Sequence, residues 1–369
     1  MQLTRHVQQL LSQIVSGSNN IFNLSPPDRG DRFQENNKLT MKKILFAILC
    51  IGTLASCARE EVTTSHQVEI KFANAFVDVH GVRTKAADPT TTSGSIDAFK
   101  VWGFMDQTGG WMFDGKVVSK DGNDWTYEDL QYWTPEHTYY FGALAPVENC
   151  SWTLSTDNAN EYGIGVVSFT NVDGTEDLLY AATKVTTPDE EALLAEGMDP
   201  VNLTFSHLLS KVKFTFTNAF TTENVTMTVS EIKMTVPKAA TIDLAVENWW
   251  DNDDWTVTGT ETTTLDFANV PGVLEITQSA ASTNQRLTFP AAKTATYEIS
   301  FKVNLTVGDQ PAMEIDKTAT LTGVAFNMGR SYNIKADITP ENLGLLPIEF
   351  SVEVNKWIPE NPFELTLNK

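Results

Sequence analysis

Along most of this chain apolar residues recur at every second position, and that alternation restricts it to half-buried β-strands. The longest clean run is Tyr297, Ile299, Phe301, Val303 and Leu305, spaced by Glu298, Ser300, Lys302 and Asn304. Val68, Ile70 and Phe72 begin the pattern; Phe99 with Val101, and Val212 with Phe214 and Phe216, continue it. Between residues 225 and 236 the phase slips. Val225, Met227 and Val229 share one parity, whereas Ile232, Met234 and Val236 share the other. One extra residue at Ser230-Glu231, a β-bulge, would return both sets to the same face. Asp189 to Glu196 is the one stretch that reads as a helix. Many short strands bounded by turn residues point to β-sandwiches. The helix, Gly197 and Pro200 interrupt the strand rhythm, so a domain boundary is expected near 198–203.

The segment 41–57 has a different character. It reads MKKILFAILCIGTLASC: two lysines, a short apolar stretch, then Leu54-Ala55-Ser56-Cys57. The apolar stretch suits a signal peptide and is too short to span a bilayer. The last four residues match the bacterial lipobox, in which the cysteine sulfur receives a diacylglycerol. We therefore expect a lipoprotein signal over 41–56 and lipid on Cys57, against the alternative of an ordinary secretory signal with an incidental cysteine. Residues 1–40 precede the signal and are expected to be a non-native leader, with Met41 as the start. The expected domains are then 57–200 and 201–369. Removing residues 1–56 takes away six basic and three acidic residues, leaving 20 Lys and Arg against 44 Asp and Glu, a net charge of −24. Such acidity disfavours nucleic acid, whose phosphates need clustered Lys and Arg. Beyond Cys57 one cysteine remains, Cys150, which leaves no internal disulfide.

A search for chemistry returns little. There is no GxSxG, HExxH, CxxC or P-loop pattern, and no metal-ligand spacing. His137 and His207 fall in different halves. The expectation is a protein that is not an enzyme, with no catalytic residue, metal or cofactor. One loop stands out, Glu247-Asn248-Trp249-Trp250-Asp251-Asn252-Asp253-Asp254-Trp255. Its oxygens would suit Ca²⁺, and exposed Trp249, Trp250 and Trp255 would stack on sugars. The favoured reading is plainer: an acidic hairpin loop whose indoles cover the edge of a sandwich. Trp111, Trp125 and Trp133 are read in the same way.

Several stretches in order resemble the fimbrillin family, the Mfa-like type V pilins of anaerobic Gram-negative bacteria. After the lipobox come a strand, Val68 to Val79, and a basic loop, His80 to Ala86. Ile96 to Phe104 is similar to a recurring first-domain strand of the family, and Trp133-Thr134-Pro135 with Tyr139 to Pro146 to its "W…Y.F.A..P" segment. Phe205 to Phe214 resembles the opening of its second domain, and Asn327 to Ile334 a later strand. The resemblance covers about residues 57–369 and implies an all-β protein of two tandem transthyretin-like Greek-key β-sandwich domains. It implies export as a lipoprotein, outer-membrane anchoring and assembly into a surface fimbria supporting adhesion, with other fimbrial subunits and a host or bacterial surface ligand as partners. It also implies maturation by cleavage between Arg83 and Thr84, after the first strand. A terminal donor strand would then refill the groove, and Phe363, Leu365 and Leu367 offer the alternation for it. His207 and Lys211 would be structural. The alternative function is a surface glycan-binding lipoprotein using the tryptophan loop; an outer-membrane-anchored hydrolase ranks last.

Overall fold

The alternating stretches are strands. The computed structural model describes residues 67–77, 96–106, 110–148, 150–222, 224–249, 255–267, 273–344 and 346–357. The chain divides into Met1–His66 and Gln67–Lys369, and every described residue lies in the second unit. Its first part runs β1 (Phe72–Val77), β2 (Ala98–Met105), β3 (Trp111–Asp121), β4 (Asp124–Thr126), β5 (Thr138–Ala145), β6 (Trp152–Ser155), β7 (Val166–Thr170), β8 (Leu179–Thr186), α1 (Glu190–Glu196) and β9 (Val201–His207). The rest runs β10 (Ser210–Asn218), β11 (Val225–Pro237), β12 (Ala239–Asp243), β13 (Thr256–Val257), β14 (Thr262–Asp266), β15 (Val273–Ile276), β16 (Ala281–Ser282), β17 (Arg286–Thr288), β18 (Thr296–Val307), β19 (Met313–Thr322), β20 (Arg330–Ile338), α2 (Pro340–Leu343) and β21 (Ser351–Lys356).

The first sheet closes on itself in the order β1-β4-β3-β2-β5-β8-β9. A β-sandwich is expected there; this sheet closes because β1 bridges both of its edges. It meets β4 antiparallel at Phe72↔Trp125 and lies parallel to β9 from Phe72↔Val201 to Val77↔Phe205. Inside, Phe99, Phe113, Phe141, Leu203 and Phe205 are buried around Phe72. Burying a side chain of this size contributes roughly 1.5–3 kcal/mol. The strand that an expected boundary at 200/201 assigns to the second half therefore completes the barrel of the first. The reason is its inward face, since Val201, Leu203 and Phe205 are at most 1% exposed. Helix α1 and Gly197 form the connection into that strand. Asp189 caps the helix by accepting a hydrogen bond from the Ala192 amide at 2.9 Å, and Gly197 ends it at φ 74°.

The second half is the expected sandwich. One sheet has the order β16-β10-β20-β21, with β17 also on β10; the other has β14-β11-β18-β19, with β15 also on β11. They meet over Phe214, Phe216, Met234, Phe301, Val303 and Ile334, and the Phe216 and Phe301 rings lie 5.1 Å apart. The expected bulge is present. The β11–β18 register shifts between Ser230 and Lys233, with Glu231 at φ 50°. Met227, Val229, Ile232, Met234 and Val236 consequently all face inward.

A further sheet, β13-β12-β7-β6, draws strands from both halves. β7 pairs with β12 from Thr170↔Ala239 to Val166↔Asp243. Beneath it Trp102, Trp152, Phe169, Ile242, Trp255 and Phe289 share one core cluster.

Candidate functional site at the terminal strands

The first and last described strands are attached in different ways. β1 is wrapped. Phe72 meets Phe113 at 5.5 Å, Phe99 and Tyr127 at 5.8 Å and Phe141 at 6.0 Å, all edge-on. Edge-on geometry sets the positive rim of one ring against the negative face of another. Ahead of β1 the backbone is also held. The Tyr127 hydroxyl donates to the Ile70 carbonyl at 2.6 Å, the Ile70 amide donates to the Gln131 carbonyl, and the Trp133 amide donates to the Val68 carbonyl. Half-burial of Tyr127 pushes its phenol pKa up, keeping it the neutral donor that this contact needs. Val68, Ile70 and Phe72, the alternating set of the sequence, all pack in the barrel core.

β21 is laid on an edge. It pairs antiparallel with β20 from Arg330↔Lys356 to Lys335↔Ser351, at one end of its sheet. Val354 is 53% exposed, so this strand buries little apolar surface itself. Its anchor is the next residue, Trp357, which is 7% exposed. The indole lies flat against the His207 imidazole, and the Lys211 Nζ stands 4.7 Å from its ring centre. The Trp357 amide donates to the Gly329 carbonyl at 3.3 Å, and His207 Nδ1 is 2.6 Å from Asp177 Oδ2. His207 ends β9 and Lys211 lies in β10, so the anchor sits at the joint of barrel and sandwich. Both are expected at the start of a second-domain strand; Lys211 lies near the start of β10, whereas His207 ends the last strand of the barrel.

The remaining expected residues divide clearly. Cys57, Arg83, Thr84, Trp250, Phe363, Leu365 and Leu367 lie outside the described residues. Trp249 and Trp255 are 4% and 8% exposed, which corrects the expectation that their rings face solvent for sugar stacking. Trp255 Nε1 donates to the Leu208 carbonyl at 3.0 Å and its ring meets Phe289 at 5.0 Å; Trp249 meets Tyr180 at 4.7 Å. An indole enclosed on that scale has no free face for a sugar. Trp133 is buried too, while Trp111 and Trp125 are half-buried. Among the described residues no group of three or more His, Cys, Asp or Glu is placed to hold a metal, and no helix is long and apolar enough to cross a membrane.

Sequence reasoning passed over Trp357 as an anchor, because its partners lie about 150 residues upstream and no local pattern joins them. It also passed over Phe104, Tyr140 and Tyr162, which face one cleft.

The described residues thus form an all-β architecture of barrel and sandwich, with a wrapped first strand and an edge-laid last strand. A fimbrillin-like family model matches residues 84–357. The chain belongs to that fimbrillin-like family. It is similar to the crystal structure of a fimbrial protein from Bacteroides vulgatus, at 16% identity and TM-score 0.54, covering 79% of this chain and 99% of that one. It is also similar to a candidate cell adhesion protein from Parabacteroides distasonis, at 13% identity and TM-score 0.45, covering 80% and 98%. A third structure, a candidate cell adhesion protein from Bacteroides uniformis, has 17% identity, TM-score 0.41, and coverage of 80% and 99%. The first of these supports the fold. No protein of curated function matches the chain.

Proposed function

We propose that this chain is a structural or anchoring subunit of a cell-surface fimbria, exported as a lipoprotein through Cys57 and assembled by strand exchange. The observation that carries the reading is the position of β1. It is the first described strand and the one that closes the barrel, and Phe72 with the preceding Ile70 fills the core. Cleavage between Arg83 and Thr84 would separate it from β2. Its departure would leave an apolar groove and unpaired backbone groups on β9, and both are costly in water. A neighbouring subunit's terminal strand, with Phe363, Leu365 and Leu367 as the alternating set, would refill the groove through main-chain hydrogen bonds. An anchoring subunit would keep both lipid and β1; a stalk subunit would lose both.

The test is a truncation read together with an N-terminal sequence. Surface-sheared protein should begin at Thr84. A variant lacking Phe363–Lys369 should fold, remain monomeric and form no fibres by electron microscopy. Fibres from the truncated chain would remove these residues from the donor role, and a start at Cys57 would remove Arg83 from maturation.

A further inference from the structure

The outer wall of the barrel carries a cleft of about 490 Å³, within the range of small-ligand sites. Its floor is a row across three adjacent strands. Phe104 of β2 pairs with Tyr140 of β5, which pairs in turn with Lys184 of β8. The Phe104 and Tyr140 rings stack at 5.3 Å and 25°, and Trp111 braces Phe104 edge-on at 5.4 Å. All three residues of the row line the cleft and none is fully buried.

Two distant segments form the walls, and they are fastened together. The Asn160 side-chain amide donates to the Ala245 carbonyl at 2.9 Å, and the Asn158 amide reaches both Asp243 carboxylate oxygens at 3.1 and 2.9 Å. The Leu244 amide donates to the Gly165 carbonyl at 2.9 Å. Gly163 is pressed so closely on this segment that a Cβ there would stand 1.8 Å from the Leu244 carbonyl oxygen. The walls are thus fixed before any ligand arrives, which lowers the ordering cost of binding. They present Glu161, Tyr162 and Glu247 to the opening, with Tyr162 43% exposed. Glu247 and then Glu161 raise the Tyr162 phenol pKa, which places both carboxylates near the hydroxyl.

We infer that this cleft is a binding site for a neutral oligosaccharide. The C–H face of a pyranose stacks on aromatic rings, and carboxylates, amides and an ammonium around such rings take its hydroxyls. Two carboxylates against one lysine leave the site negative, so sialylated or sulfated glycans are repelled. An extended peptide has no purchase, because β2, β5 and β8 each already have a neighbour on both sides. The inference stands independently of strand exchange.

The experiment is saturation-transfer NMR with calorimetry on the purified protein. Lactose and N-acetyllactosamine represent animal cell surfaces, cellotriose and maltotriose the glucans of microbes and plants, and sialyllactose is the anionic control. At least one neutral sugar should bind, and sialyllactose should bind at least tenfold more weakly than lactose. Tyr162→Ala, a change at an exposed turn, should weaken binding by about tenfold with an unchanged circular dichroism spectrum. Glu247→Gln should weaken it by about threefold. Which neutral sugar binds identifies the source. Failure of every neutral sugar, parity of sialyllactose with lactose, or wild-type binding by both variants would overturn the assignment.

Discussion

The indole of Trp357 lies on the imidazole of His207 with ring centres 3.7 Å apart and planes 6° from parallel. One ring belongs to the last described residue, the other to the last residue of the barrel. The Asp177 carboxylate holds the imidazole through Nδ1, and the Lys211 ammonium sits near the same indole. A cation over an indole contributes about 0.5–2 kcal/mol. His207 and Lys211 thus both meet the indole, and Asp177 steadies it through His207. The proposed donor residues, Phe363, Leu365 and Leu367, follow it in the sequence.

Replacing Trp357 by alanine is expected to destabilise the protein by about 3 kcal/mol in denaturant unfolding, from lost burial and an unfilled space. Amide exchange should rise in 351–356 before it rises in β10 or β18. Unchanged exchange in β21 would mean that its ladder to β20 suffices without the anchor.

Phe72→Ala should cost about 3–5 kcal/mol, since four aromatic neighbours lose their shared partner in a barrel that cannot collapse around the gap. Phe72→Leu should recover more than half. A loss below 1 kcal/mol would show that β1 contributes little to barrel stability.

Glu231 holds a left-handed backbone at φ 50°. Glu231→Gly should change stability by no more than about 0.5 kcal/mol, because relief of the left-handed cost offsets the greater freedom of the unfolded chain. Glu231→Val should cost about 1–2 kcal/mol. The Lys302–Glu231 ion pair at 3.2 Å is exposed on the Glu side and adds little. Deleting Glu231 removes the extra residue and leaves Val229, Ile232, Met234 and Val236 on one parity, so the variant is expected to fold with the bulge gone. Loss of the folded state, seen by near-ultraviolet circular dichroism, would contradict this.

Glu353 of β21 pairs with Lys335 of β20, and the hydrogen bond from that lysine, then one from Asn355, holds its carboxyl below the ordinary glutamate value of 4.5. A carboxyl with a lowered folded-state pKa stabilises fully above its unfolded value and loses that contribution as pH falls through the folded one. β21 should therefore loosen below about pH 4.5, seen as falling protection factors in 351–356. Glu353→Gln should flatten that dependence; an identical pH profile in the variant would exclude the pair as its cause.

Strands were legible wherever one face is wet. The runs ending at Leu305 and at Val236, with the slip at Ser230-Glu231, translate directly into β18 and the bulged β11. Periodicity also located α1, whose Asp189 cap and Gly197 end are local signals. Closure of the barrel was not legible, because a parallel pair such as β1–β9 joins residues about 130 apart and carries no turn signature. In the tryptophan loop the favoured reading, indoles covering an edge, fits Trp249 and Trp255, which are buried while Glu247 stays out; the alternative of exposed sugar-stacking rings does not. The cleft residues were hidden. Phe104 and Tyr140 read as ordinary strand apolars, and nothing in sequence says that the face they share is left uncovered.

The sheet β13-β12-β7-β6 has a consequence for how the molecule comes apart. Because β6 and β7 are knitted to β12 and β13, and β9 is knitted back to β1, order along the backbone is not order in space. A single nick between α1 and β9 would leave two pieces still laced together, released only when the lacing itself melts. Damage to the linking loop would show on a denaturing gel long before it showed in solution.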